Sequence, residues 1–175
     1  MIERLFGRAG RERRRRGEQG ERLGGYIYGE IVVLATLVAG AQAYKHGALH
    51  IGLLVLVTTV VFWLAHVYAD ALADSITKGE HLTWAELREI AGRESSIIEA
   101  ALTPVLLVML STTGLYSVSV GVWLAFVAGL LVLVTEGFAF ARAEKLGRLG
   151  TLVIVGANLL MGLLLVVLKL LVSHH

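Results

Sequence analysis

The chain has 175 residues, and 56% of them are hydrophobic, with a single proline and no cysteine. A soluble domain of this length could not bury so much apolar surface, so the composition indicates a membrane protein. The absence of cysteine excludes disulfides, thiolate catalysis and Cys-ligated zinc or iron–sulfur sites. The formal net charge of +2 conceals a strong asymmetry in where the basic residues lie.

The first 25 residues are rich in arginine, glutamate and glycine, with little apolar surface to bury. We expect residues 1–25 to form a mobile basic arm in the cytoplasm. The arm carries four consecutive arginines, which are Arg13, Arg14, Arg15 and Arg16. These side chains could contact anionic lipid headgroups, or they could serve only to set the topology.

Five apolar segments are long enough to cross a bilayer, which takes about 20 helical residues for roughly 30 Å of hydrocarbon. They run over residues 26–44, 51–71, 97–115, 119–141 and 150–172. The sequence therefore predicts an all-α, five-span bundle over residues 26–175. The arginine cluster and Ala41-Gln42-Ala43 also resemble a signal peptide, but the long charged region and Glu30 favour an uncleaved first span.

Basic residues are concentrated on one side of this arrangement. Fourteen of the 16 lysines and arginines precede span one or lie between spans two and three or four and five, whereas Lys45 and Lys169 lie on the other side. The positive-inside rule then predicts a cytoplasmic N-terminus and an outside C-terminus. We expect a multi-pass protein of a bacterial plasma membrane.

The connection between spans two and three contains a helix-start signal. Thr83-Trp84-Ala85-Glu86 matches a capping box, and apolar residues follow on one helical face. This pattern predicts a short helix over about residues 84–92 at the inner interface. Ser96-Ile97-Ile98-Glu99 matches a second capping box and predicts the start of the third span.

Ionisable residues within membrane spans are costly and are therefore candidates for function. The candidates are Glu30, His66, Asp70, Glu99 and Glu136. All lie towards the cytoplasmic ends of four different spans, and the predicted outer loops contain no acid. Four carboxylates with one imidazole suit Mn²⁺, Fe²⁺ or Zn²⁺, and carboxylates alone suit Mg²⁺ or Ca²⁺. Protons or basic partners would stabilise the same cluster.

Each candidate also has a structural interpretation. Glu99 fits the capping box, and His66 could donate to a backbone carbonyl. Glu30 and Glu136 could pair with a nearby arginine or reach water. Small residues recur every four positions at Ala35, Ala39 and Ala43, at Ala125 and Gly129, and at Asn158 and Gly162. This spacing is typical of close helix packing within a bundle or across a dimer.

No P-loop, HExxH, GxSxG or dinucleotide-binding fingerprint is present, so we expect no enzymatic activity. No basic and aromatic pattern indicates a nucleic-acid partner. The expected partners are the lipid bilayer and a second copy of the chain.

The topology resembles that of the vacuolar iron transporter family, in which a helical acidic insertion separates spans two and three. Gly29-Glu30-Ile31-Val32 and Val38-Ala39-Gly40-Ala41 are similar to that family's first span. The resemblance implies a dimeric exchanger of Fe²⁺ or Mn²⁺ for protons. The family's first-span aspartate is replaced here by Tyr28, and the insertion is shorter. Arg22 followed by Tyr26 is also similar to the opening of the lysosomal potassium channel family.

These patterns favour a small transport protein that moves or binds a cation, either a divalent metal or one coupled to protons, through the inner-leaflet carboxylates. The alternatives are a non-transporting scaffold, partner subunit or assembly factor, and a monovalent cation channel.

Overall fold

The computed structural model describes residues 2–44, 47–79 and 81–173, without the side chains of residues 2–16, 18, 19, 166, 168–170, 172 and 173. Within these ranges it contains six α-helices and one 3-10 turn. They are α1 (Ile2–Ala43), α2 (Ala48–Lys78), α3 (Trp84–Arg93), α4 (Ser96–Leu110), the 3-10 turn Ser111–Thr113, α5 (Val118–Ala143) and α6 (Arg148–Ser173). Helices α1, α2, α5 and α6, and α4 together with the 3-10 turn that follows it, each contain a segment long and apolar enough to span a bilayer. The predicted all-helical, five-span architecture is confirmed.

The first helix is longer than the sequence predicts. Its backbone is helical from Ile2, through the segment for which a mobile arm is expected. The physical reason is local, because arginine and glutamate are good helix formers even where nothing apolar is buried. The side chains of Arg13–Arg16 lie outside the described residues, so their lipid contacts stay a prediction.

Helix α1 lies at the centre of the bundle and packs against α2, α4, α5 and α6. Its residues Val33, Leu34 and Leu37 are fully buried and share one core cluster with Phe126 and Leu133 of α5. In contrast, α6 turns most of its apolar surface outward, as expected for a helix that borders lipid.

Glycines set the closest helix approaches. A Cβ on Gly29 would lie 2.8 Å from the Ile97 carbonyl oxygen of α4, which means that the backbones of α1 and α4 nearly touch. A Cβ on Gly162 of α6 would lie 2.5 Å from Leu130 of α5. The alanines at 35, 39 and 43 are exposed, so this predicted stripe does not pack within the chain.

Helix α2 continues past the predicted span to Lys78 and then ends at Gly79, whose φ of 67° is left-handed. Helix α3 follows, and the predicted capping box is formed. The Glu86 amide donates to Thr83 Oγ1 at 3.3 Å, and the Thr83 amide donates to Glu86 Oε2 at 2.9 Å. Trp63 Nε1 donates to the Ala91 carbonyl at 3.1 Å, which fastens α3 to α2.

The second predicted capping box is not formed. Helix α4 begins at Ser96, and Ser95 precedes it without a side-chain cap. Ser95 Oγ donates to Glu99 Oε1 at 2.9 Å, whereas Ser96 is buried. A Cβ on Gly25 of α1 would lie 2.5 Å from the Ser96 hydroxyl oxygen. The close packing of α1 against α4 therefore determines that Ser96, and not Ser95, is the buried serine.

Candidate functional site

The five predicted site residues lie in three separate places. Glu30 is buried in the core, Glu99 and Glu136 line a cavity at the end of the bundle, and Asp70 and His66 lie on the α2 side. Among the described residues, no group of three His, Asp or Glu side chains is arranged to hold a metal ion.

Glu30 is the most unusual side chain in the described bundle. It is 0% exposed, and neither carboxyl oxygen has a hydrogen-bond partner. Burying an ionised carboxylate without a partner is costly, so this environment favours the neutral, protonated acid. Most buried polar atoms in proteins are paired, which makes an unpaired one a candidate for function.

The space for the Glu30 carboxyl is created by Gly129 on α5. A Cβ at that position would overlap Glu30 Oε1 and would come within 2.7 Å of Leu34 Cδ2. The flanking α5 residues Phe126 and Leu133 are fully buried. Glu30 is therefore held at the α1–α5 contact, in surroundings that supply no counter-charge.

A cavity of about 520 Å³ lies between α1, the start of α4 and the end of α5. It is lined by Arg22, Leu23, Tyr26, Ser96, Glu99, Glu136, Ala139 and Ala143, and we call it the vestibule. Within this lining, Arg22 Nη2 donates to Glu99 Oε2 at 3.3 Å. Glu136 is half-buried.

Tyr26 lines the vestibule and lies about one helical turn before Glu30. It precedes Glu30 by four residues, so both side chains lie on one face of α1. Its hydroxyl lies within the electrostatic influence of Glu30, Glu136 and Glu99. The Glu30 oxygens have essentially no accessible surface, so the vestibule ends short of this carboxyl.

Asp70 belongs to an ion-pair network centred on Arg93. Arg93 Nη2 donates to Asp70 Oδ2 at 3.3 Å, and Arg93 Nε lies 3.4 Å from Glu21 Oε2 and 3.7 Å from Glu94 Oε1. Burial and then the charge of Asp70 raise the pKa of the Glu94 carboxyl. Arg93 thus ties α3 to α1 and α2, and it neutralises Asp70.

His66 has a local partner. Its Nδ1 lies 3.0 Å from the Phe62 carbonyl oxygen, one turn earlier on α2. Its ring lies 4.8 Å from the Tyr28 ring on α1, centroid to centroid. These contacts agree with the structural role that the sequence allows for His66, a hydrogen bond to a backbone carbonyl.

Sequence reasoning missed the roles of Arg22, Tyr26 and Ser96. The sequence patterns give Arg22 a part in the predicted topology, give Arg22 and Tyr26 a part in the likeness to a channel family, and predict Ser96 as a helix cap. The spacing of Arg22, Tyr26 and Glu30 is a usable signal, since residues four apart share a helical face.

No protein-family model, curated protein or solved structure matches this chain.

Proposed function

We propose that this protein transports a cation coupled to protons, with Glu30 as the buried proton-binding group and the vestibule as its cytoplasmic access. The observation that carries the proposal is the complete burial of an unpaired carboxyl at the centre of a multi-span bundle. Such a group is costly to stability, and ionisable residues inside membranes are typical of ion and proton pathways.

The chemistry of the site suits proton exchange. In the closed arrangement Glu30 is stable as the neutral acid, since no cation or donor compensates its charge. A conformation that connects it to the vestibule would supply water or a cation and allow the proton to leave. The group therefore alternates between a protonated closed form and an ionised open form.

The vestibule suits the collection of cations. Glu136 lines it and, among the side chains that the structure describes, has no arginine partner such as Arg22 is for Glu99. Its carboxylate would attract a cation towards Tyr26 and Glu30. The resemblance to the vacuolar iron transporter family also implies exchange of a divalent cation for protons, so Fe²⁺, Mn²⁺, Zn²⁺ and Mg²⁺ are the first cargoes to test, as substrates.

Flux into proteoliposomes tests the proposal. Vesicles containing the purified protein and an internal pH-sensitive dye should show uptake of at least one divalent or monovalent cation, accompanied by a change in internal pH. Glu30→Gln keeps the shape of the side chain and removes the exchangeable proton, so it should abolish coupled flux. Glu136→Gln should lower it.

The matched control is Glu144→Gln, which removes an exposed carboxylate beyond the end of α5. It should leave the flux unchanged, and all three variants should elute as the wild type does in size-exclusion chromatography. Full coupled flux in a folded Glu30→Gln variant would rule out the proposed role of Glu30.

One observation favours the alternative of a non-transporting subunit or assembly factor. Asp70 and Glu99 each have an arginine partner, Arg93 and Arg22, which a purely structural role would explain. In that case none of the tested cations would be taken up, and Glu30→Gln would change only the thermal stability of the protein.

A further inference from the structure

A second cavity, separate from the vestibule, lies in the angle between α2 and α3. It measures about 760 Å³ and is lined by Trp63, Leu64, Val67, Trp84, Ala85, Leu87, Arg88 and Ala91. We call it the α2–α3 groove. Its size is within the range of sites that hold small molecules. All its lining residues are apolar or aromatic except one arginine.

The depth of the groove matches the inner leaflet. At 1.5 Å per residue, α2 rises about 29 Å between Ala48 and Val67, which is close to the full hydrocarbon thickness. Trp63 and Leu64 therefore lie near the cytoplasmic boundary of the hydrocarbon, where α3 packs against α2.

The groove is continuous with the lipid-facing surface of α2. Val57, Val61 and Leu64 form an exposed apolar stripe at helical spacing, and Leu64 is also part of the groove wall. Trp84 is 82% exposed on the α3 side. A hydrocarbon chain can thus pass from the bilayer into the groove without crossing a polar surface.

The polar end of the groove carries the positive charge of Arg88. Arg88 is exposed and forms no ion pair with the described residues. Its helical neighbours Trp84 and Gly92 are uncharged. Glu86, the acid two positions before it, is already bound by Thr83 and Lys78.

From this arrangement we infer that the α2–α3 groove binds an anionic phospholipid of the cytoplasmic leaflet. One acyl chain lies along Trp63, Leu64 and Val67, and the headgroup phosphate is held by Arg88, since guanidinium groups bind phosphate oxygens strongly. This site is independent of Glu30 and of the proposed transport function.

Tryptophan fluorescence with brominated lipids tests the inference. Bromine quenches only nearby indoles, and Trp63 and Trp84 are the only tryptophans left in a Trp123→Phe background. In nanodiscs holding one copy of this full-length variant, brominated phosphatidylglycerol should quench more than brominated phosphatidylcholine at equal mole fraction. Arg88→Gln should weaken the apparent phosphatidylglycerol affinity about fivefold, the equivalent of about 1 kcal/mol per basic residue.

The control variant is Arg148→Gln, which removes an exposed cation at the start of α6, away from the groove. It should leave the quenching curves unchanged, and circular dichroism should show unchanged helicity in both variants. Equal quenching by the two lipids, or an Arg88→Gln curve identical to the parent, would overturn the inference. A comparison of discs that hold one copy with discs that hold two copies gives a further test. If both lipids quench weakly with two copies and more strongly with one, a second copy of the chain occupies the groove, and the inference is overturned.

Discussion

At the scale of single residues, the contact between Glu30 and Gly129 is the feature on which both stability and proposed function depend. Gly129 has no side chain, and the Glu30 carboxyl occupies the space that a Cβ at position 129 would fill. The glycine therefore determines where the acid lies, and the acid has no polar group to compensate for its burial. An unpaired carboxyl buried in this way calls for an explanation, and proton binding is the one we propose.

Gly129→Ala tests this contact. The added methyl group would overlap Glu30 Oε1 and approach Leu34 Cδ2 within 2.7 Å, so these two side chains, or the helices that carry them, must shift. We expect a loss of about 1–3 kcal/mol in the free energy of unfolding, as is usual for overpacked cores. Thermal unfolding in detergent measures it. Gly156→Ala is the matched control, since no neighbouring atom lies within 4 Å, and it should be neutral or slightly stabilising. Equal melting temperatures for the two variants would contradict the proposed packing.

At the scale of elements, α3 is a short helix of ten residues with one buried residue, Ile90. Its position depends on polar interactions at both ends. The capping box and Lys78 fix its start, and Arg93 fixes its end. Both ends should therefore respond to pH and to substitution more than the spans do.

The start of α3 should loosen in acid. Hydrogen bonds from the Thr83 amide and from Lys78 lower the pKa of Glu86 from its ordinary 4.5 to about 2. Because the folded pKa is depressed, the stabilisation is fully present above about pH 4.5 and is lost as pH falls through about 2. Amide exchange of the first turn of α3, corrected for the intrinsic rates, should accelerate over this window. Glu86→Gln should remove the pH dependence, and Thr83→Ala should cost about 1 kcal/mol at neutral pH. Unchanged protection between pH 5 and pH 2 would be inconsistent with this assignment.

The end of α3 should depend on Arg93. This guanidinium lies between Asp70, Glu21 and Glu94, so its removal leaves three carboxylates without their shared cation. Arg93→Gln should destabilise the docking of α3 by about 1 kcal/mol, a modest value because the pairs are partly exposed. Faster amide exchange around Ala91 would report it. Arg142→Gln, at an exposed position near the end of α5, should have no effect there.

At the scale of the whole molecule, the sequence predicts what depends on composition and periodicity. The five spans and the short helix after Thr83 both follow from local patterns. The sequence does not predict which acids find partners, because those partners are distant in the chain. Glu30 faces Gly129, and Asp70 pairs with Arg93 only because α3 folds back on α2. The sequence favours Ser96 as the cap because Glu99 lies three residues later, but in the structure Ser96 is buried close to Gly25.

Topology is the prediction that belongs to this largest scale. The structure gathers Arg22 of α1, the start of α4 and the end of α5 around one vestibule, and it brings Arg93 to the same end of the bundle through Glu21. Because basic residues are retained on the cytoplasmic side, this end should face the cytoplasm.

Reporter fusions test this orientation. Fusions at the N-terminus, after Gly79 and after Gly147 should show cytoplasmic activity, and a fusion after His175 should report the outside. A fusion within the α4–α5 connection, after Leu115, should also report the outside, which provides an internal control. A cytoplasmic signal after Leu115 would show that the bundle has the opposite orientation. The vestibule would then open to the exterior, and the proposed transport would collect its cation from that side.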